Sequence, residues 1–438
     1  MKKPFYIVFI ALVLVICLIP SVGLVINGPS EAVSNETPHV MPTIKNFDGT
    51  WNLDYLDGLR DYVGYGFYTR LPAITAWAKI SSNVFGTSAN DSVIIGPDGW
   101  LFYREAADEM SRSNLMTDRQ LWCCARSLYL MQEYVESQGA QFVFTVPCGK
   151  YTLYPEHAPQ YVQVNEQSNR EALMPLMQAQ GVNYADLYEA FTAQDEELYW
   201  QWDSHWHGRG AALAADTILA AAGIQTDWFG CNFVQTETPH TGDLYAMLYP
   251  AGTDTEPDYE PAQGFSFAYT SDFRTSDDIT ITTECDEGEG SLLIFRDSSG
   301  RSLYPYLAQT FAQTYISRLN NYQLNLTEEQ QADVVVVELA ERTLNYLLQY
   351  PAVYPAPVRD SIPEGMQQVE SEMTFDTSEV TMAGYMQVTG TMPETASDSS
   401  VYIAAGDTVY EAIPNDGSFT AWLPIDTDTQ TLVVYAAL

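Results

Sequence analysis

Basic residues are scarce in this chain. Lys and Arg number 19 against 57 Asp and Glu, a net charge of −38 at pH 7. A surface that acidic repels nucleic acid and anionic headgroups, so a DNA or RNA partner is excluded. The charge suits solubility outside the cell better than a face tuned to one basic partner. Cysteine is thinly spread: Cys17, Cys123, Cys124, Cys148, Cys231 and Cys285 form neither a disulfide framework nor a zinc spacing. Cys17 sits in an apolar stretch, which leaves an odd five, and no cysteine comes with a histidine and a strand-to-helix turn. Internal repeats and low-complexity segments are missing as well. With 46% hydrophobic and 13% aromatic residues over 438 positions, the chain can build cores for two or three domains.

One long apolar run is present, from Pro4 to Ile26, preceded by Lys2 and Lys3. Its length and flanking charges predict a membrane anchor with a cytoplasmic N-terminus over residues 1–30; a cleaved signal peptide is the rival reading. Either one exports the rest of the chain, which stays at the extracellular face of the cell membrane with an anchor and is secreted if the segment is cleaved. Residues 31–90 read as a lead-in with helices around Tyr55 and from Leu71 to Ile80. From 91 to 352 strands and helices alternate, the pattern of an α/β layered domain with a parallel sheet. Ser92 to Tyr103 reads as strand, Pro-Asp-Gly turn, strand. Helices are expected over 118–138, 166–180, 210–222, 303–316 and 341–348, and strands over 141–147, 182–187, 291–296 and 334–338. A Pro-rich linker is expected over 353–369, and a small β-sandwich over 370–438, where Thr, Ser and Val alternate and Asn415-Asp416-Gly417 makes a turn.

The chemistry concentrates in two places. Around Trp202-Asp203-Ser204-His205-Trp206-His207-Gly208, an acid and a histidine lie two residues apart, just before an apolar-periodic helix. A histidine base needs a partner that fixes its tautomer and stabilises the imidazolium, and Asp203 is near enough to do so. The nucleophile candidate lies downstream, where the strand-like Leu292 to Phe295 runs into Arg296-Asp297-Ser298-Ser299-Gly300-Arg301 and then a helix; Ser298 would stand at that helix N-terminus. The plainer use of Ser298 is as a helix cap. Asp203-x-His205-x-His207, with His240 and Asp243, also has the residue types of a metal cluster, but no metal is expected, and no cofactor. Trp202 and Trp206 would stack on a sugar or fill core. Arg301 and Tyr304 are candidates for the pocket wall, Lys150 for substrate contact, and Arg342 for a structural ion pair.

Asp-Ser-His-Trp leading into Gly-x-Gly-Ala resembles the Asp-x-His-Trp signature of the SGNH-hydrolase-like proteins of polysaccharide O-acetylation. These are the AlgX and AlgJ type and their Gram-positive DHHW relatives. Five more segments resemble that family in the same order. They are Ile95 to Phe102 (Gly-x-Asp-Gly-Trp-Leu-Phe), Val146 to Pro155 (Pro-x-Lys…Tyr-Pro), Thr241-Gly242-Asp243-Leu244, Asp297-Ser298 before Leu303 to Leu307, and Val337 to Arg342 (Glu-x-x-Glu-Arg). The resemblance spans about residues 47–350 and leaves 370–438 uncovered. The serine block reads Arg-Asp-Ser-Ser-Gly here, where the family has Gly-Asp-Ser. What the resemblance implies is an SGNH-hydrolase-like three-layer fold with Ser298 as acyl nucleophile, His205 as base and Asp203 as orienting acid. Backbone N–H groups around Ser299 and Gly300 would form the oxyanion site. The implied activity is O-acetylation of an extracellular polysaccharide, the acetyl group coming from a separate membrane-bound acyltransferase. A carbohydrate acetyl esterase with the same triad, and a non-catalytic glycan- or wall-binding protein, are the alternatives.

Overall fold

The computed structural model describes residues 3–30, 39–378, 381–393 and 399–437. At its centre a seven-stranded sheet runs in the order Tyr184–Ala185, Gln141–Thr145, Val334–Glu338, Ser291–Phe295, Gln313–Ser317, Thr280–Glu284, Ala268–Tyr269. The first five are mutually parallel; the last two join antiparallel. The sheet is therefore mixed where a parallel one was expected.

Period-two alternation builds the layers. Phe142, Phe144, Leu293, Phe295, Val335 and Val337 point to a core shared with helices Asp118–Ser137 and Asn169–Gln180. Val143, Leu292, Ile294, Val334 and Val336 point to the other, under Gly208–Ala221 and Gly300–Thr310. Burying one such side chain is worth roughly 1.5–3 kcal/mol, which is why the central Val-rich strand tolerates no polar residue before Glu338. Local chemistry sets the helix starts. Thr117 with Gln120, and Ser168 with Glu171, form capping boxes that satisfy the first free N–H groups. The helix expected over 303–316 ends at Thr310, and Gln313–Ser317 is instead a strand. Phe311 is already extended, and Thr314, Tyr315 and Ile316 favour the pleated backbone in a slot beside Ser291–Phe295.

The lead-in helix Arg70–Phe85 packs on the domain: Ala78 is fully buried with Val93, Leu101 and Leu244, and Thr75 accepts from the Ala251 N–H. The N-terminal stretch is helical over Lys3–Asn27. Among the described residues no helix is long and apolar enough to cross a membrane, so the expected anchor has no support there.

The C-terminal region is one antiparallel sheet rather than a sandwich of two. Its order is Gln367–Val369, Leu432–Ala436, Val401–Ala405, Thr408–Asn415, Ser418–Pro424, Tyr385–Thr391, Met373–Asp376, with Val358–Arg359 added beside Thr408–Asn415. The sheet forms a half-barrel around Val388, Val401, Ile403, Phe419, Leu423 and Val434. Residues 353–369, expected as a linker, supply two of these strands, and Val353 and Tyr354 are buried.

Candidate active site

The site lies at the ends of the parallel strands, the usual ligand edge of such sheets. The loop carrying Asp203 and His205 is fastened from below and behind. Tyr199 and Trp206 form a single antiparallel bridge that closes the loop. The Glu256 carboxylate accepts the Gln201 and Trp202 N–H groups at 2.7 and 2.9 Å. Lys150 donates to the carbonyls of Leu101, Gln201 and Asp203 at 2.8, 2.8 and 2.9 Å. Gly242 passes so close to the Trp202 carbonyl that a Cβ there would collide with it. That close passage is what the Thr-Gly-Asp-Leu segment is for, because it brings Asp243 beside the loop.

Asp203 and His205 are joined as expected. Asp203 Oδ1 accepts from the His205 backbone N–H at 2.9 Å and lies 2.7 Å from His205 Nδ1. An ionised carboxylate there places the ring proton on Nδ1 and leaves Nε2 with its lone pair; Nε2 has no hydrogen-bond partner among the described residues. Burial alone would raise the Asp203 carboxyl, but hydrogen bonds from His205 and His240 hold it well below the usual range. Burial also opposes the charged form of His205; the bond to Asp203 outweighs it, and His205 sits above the ordinary histidine value.

Two partners were missed as such by sequence reasoning, which weighed them only as metal ligands. His240 Nε2 lies 2.7 Å from Asp203 Oδ2, and the Asp243 N–H donates to the same oxygen at 2.8 Å. Asp243 in turn accepts from Ser204 N–H at 2.9 Å and Ser204 Oγ at 2.6 Å. Asp203, His205 and Asp243 do hold one donor atom each within 4.8 Å of one another. Both oxygens of both carboxylates are nonetheless occupied by N–H or O–H donors, so the set is a proton network and not a ligand set. His207 leaves it altogether. Its Nε2 donates to the Glu197 carbonyl at 2.8 Å and its Nδ1 caps the Gly208–Ala221 helix through Arg209 N–H, while burial keeps its pKa low.

Ser298 occupies the expected turn between Ser291–Phe295 and Gly300–Thr310, half-buried. Capping does not account for it. Ser299 stands at the cap position without a side-chain cap bond, and the Ser298 hydroxyl makes no hydrogen bond among the described residues. The turn is held by Asp297, which accepts Ser299 N–H at 2.7 Å and Ala340 N–H at 2.9 Å, while its own N–H goes to Glu338 at 2.9 Å. Burial, with Asp297 adding to it, pushes Glu338 well above the carboxylate range. The Ser299 N–H is thus already used, and of the two expected oxyanion donors only Gly300, first residue of the helix, remains. No hydrogen bond joins Ser298 to His205. Their segments meet electrostatically: the charge of Arg301 opposes protonation of His205.

Four remaining candidates change role. Trp206 is fully buried in the core against Phe191 and Tyr199 and reaches no ligand. Tyr304 is buried and bonded to the Tyr269 hydroxyl at 2.8 Å, behind the wall rather than on it. Arg301 is tied to Asp277 at 2.6 Å. Lys150, with its ammonium on three carbonyls, is structural; burial pulls it down to about 7. Trp202 keeps its candidacy: with Trp200, Tyr259, Glu197 and Glu256 it lines a groove of about 630 Å³, whose wall Trp200 stacks on His240 at 3.7 Å.

Residues 93–278 match the family model described as the SGNH hydrolase-like domain of acetyltransferase AlgX. No curated protein matches the chain in sequence. Among solved structures, PatB1 of Bacillus cereus, seen with a sulfonyl adduct, is similar at 15% identity and a TM-score of 0.43, over 58% of this chain and 97% of that one. A DHHW family protein from Eubacterium siraeum is similar at 17% identity and 0.41, over 57% and 91%. AlgX of Pseudomonas aeruginosa is similar at 12% identity and 0.37, over 84% and 95%. The matched segment holds the Asp203–His205 pair and His240, and over it the chain is similar to the SGNH hydrolase-like domain of the acetyltransferase AlgX.

Proposed function

We propose that the protein is an extracellular polysaccharide O-acetyltransferase that works through a Ser298 acyl-enzyme. The observation that carries the reading is the Asp203–His205 pair, with Nδ1 held at 2.7 Å and Nε2 left without a partner. His205 Nε2 takes the Ser298 proton as Oγ attacks the acetyl carbonyl; the tetrahedral oxyanion is met by the Gly300 N–H, and the proton passes to the departing oxygen. A sugar hydroxyl then gives its proton to His205 as it attacks the acyl-enzyme; the bond to Ser298 Oγ breaks, His205 returns the proton to that oxygen, and the sugar leaves acetylated. The groove beside Trp200 and Trp202 suits a saccharide acceptor, since aromatic faces meet sugar rings and carboxylates take their hydroxyls. A membrane-bound acyltransferase is the proposed acetyl source, and the apolar N-terminal segment supports export.

The test mixes the chain with a chromogenic acetyl ester, beside Ser298→Ala, His205→Ala and Ser299→Ala, and then adds oligosaccharides. Acetyl release that survives only in wild type and Ser299→Ala, with the other two down at least roughly a thousandfold, supports the triad. Acetylated oligosaccharide detected by mass supports transfer, and release to water alone makes the protein an esterase. Four equally active or equally inert proteins would overturn the reading.

A further inference from the structure

Asp203 is shared by two imidazoles. Oδ1 faces His205 Nδ1 at 2.7 Å, and Oδ2 faces His240 Nε2, also at 2.7 Å. The backbone N–H groups of His205 and Asp243 take the second position on each oxygen, at 2.9 and 2.8 Å. A carboxylate has about four acceptor sites, and all four are filled. Asp203 is therefore locked in rotation, with the oxygen opposite His205 pinned by what binds its twin.

His240 is itself fixed on three sides. Its ring lies on Trp200 at 3.7 Å with the planes 15° apart. Its backbone exchanges hydrogen bonds with Glu256, N–H to carbonyl at 2.9 Å and the reverse at 2.8 Å. The Glu256 carboxylate also grips the Gln201 and Trp202 N–H groups, so the strap carrying His240 and the loop carrying Asp203 move as one piece. The side chain of His240 is 27% exposed while that of Asp203 is 3% exposed, so the pair runs from the surface to a buried acid. The charged and titratable groups around it are Asp203, His205, Asp243, Glu256 and Lys150, with Arg301 reaching His205 from the serine side.

We propose that His240 is a positioning residue for the base, acting on His205 through the shared carboxylate of Asp203. Its N–H bond does two things: it holds Oδ1 in the plane that fixes the His205 tautomer, and it draws charge from Asp203, so that His205 is less basic than Asp203 alone would make it. A base whose conjugate acid is over-stabilised returns its proton to the leaving oxygen more slowly; the second imidazole limits that. This inference rests on the reading of His205 as base.

The test uses His240→Leu, which removes the donor, and His240→Gln, which keeps an N–H at the side-chain end. The first readout is the pH titration of His205 by NMR in the Ser298→Ala background, where no turnover is needed. Without the His240 donor, Asp203 is freer to hold the His205 proton, so the His205 midpoint in His240→Leu should rise, by roughly half a pH unit, while His240→Gln stays near wild type. The second readout is the pH profile of acetyl-ester cleavage. The acidic limb of His240→Leu should move up with the NMR midpoint, and kcat should fall about tenfold with KM little changed. An unchanged His205 midpoint in His240→Leu, or equal midpoints in both variants, overturns the proposal. If Ser298→Ala keeps full esterase activity, the enzyme reading fails by itself, and the NMR titration still decides whether His240 controls His205.

Discussion

The Lys150 ammonium donates to the main-chain carbonyl of Asp203 at 2.9 Å, while the Asp203 side chain faces His205. One residue thus carries the acid of the site and an attachment to the scaffold. The same ammonium holds the carbonyls of Leu101 and Gln201 and lies over the Trp100 ring at 4.9 Å. Lys150→Met keeps the length and loses all three donors, leaving three carbonyls without their partner in a buried place. A loss of about 3 kcal/mol is expected, read as a lower denaturation midpoint in urea with unchanged slope. Acetyl-ester cleavage should fall in the same variant, because the Asp203 loop is no longer tied to Leu101.

The pH profile follows from charges around the base. On the proposed reading His205 acts as a neutral base, and its pKa lies above the ordinary value because the bond to Asp203 and the charge of Asp243 outweigh burial. The rate should therefore rise with pH through a limb above the free-histidine value of about 6.5. Asp243→Asn removes a negative charge 3.6 Å from His205 Nδ1 and should move the limb down. Arg301→Gln removes a positive charge that opposes protonation and should move it up. Opposite displacements of the two profiles check the assignment; displacements of one sign would contradict it.

How much of this was legible in the sequence depended on distance along the chain. Asp203 and His205 are two residues apart, and their pairing needs only a local turn, so spacing revealed it. The strand before Ser298 was legible because four consecutive apolar residues can only be buried. His240 was not, because nothing near it in sequence explains it: its partners are 37 and 40 residues away, at Asp203 and Trp200, and only a folded strap brings them together. Trp206 was left open between sugar stacking and core filling for a related reason. Trp202 and Trp206 flank the same histidine, and which of them faces the core is decided by the Tyr199–Trp206 bridge. The strand Gln313–Ser317 was lost to a helix pattern that ran on through Leu307 and Phe311, and the mixed sheet edge went with it.

Asp297 offers a test of the serine turn that leaves the serine itself alone. Its carboxylate bridges Ser299 N–H and Ala340 N–H, tying the turn to the segment after the central strand. Asp297→Asn keeps one acceptor oxygen but presents an amide to the other N–H, so one of the two bonds is lost. Ester cleavage is expected to fall roughly tenfold or more, as when an outer-shell partner is removed, with the folded state retained by circular dichroism. Asp297→Ala should be worse, since both N–H groups lose their acceptor. If both variants cleave at the wild-type rate, the turn does not need Asp297 to present Ser298.

The half-barrel is joined to the α/β layer by charge as well as by packing, and that makes its contribution measurable. Glu411 is 1% exposed and accepts from Arg126 at 2.6 Å on one oxygen and from Arg359 at 2.8 Å on the other. Arg359 continues as a two-pronged bond to Glu133 at 2.6 and 2.5 Å. Arg126 and Glu133 belong to the helix Asp118–Ser137, Glu411 and Arg359 to the C-terminal sheet. Replacing one partner of such a buried set leaves the others charged and uncompensated, at a cost of about 3–5 kcal/mol. Glu411→Ala takes the carboxylate from Arg126 and leaves Arg359 with Glu133 alone, whereas Glu133→Ala leaves both Arg126 and Arg359 paired with the buried Glu411. The expected order of denaturation midpoints is therefore wild type, Glu133→Ala, Glu411→Ala. The acid network at Asp203 contains none of these residues, so cleavage of a small acetyl ester by folded Glu411→Ala should stay close to wild type. A variant that loses cleavage while still folded would mean that the half-barrel helps to shape the serine site.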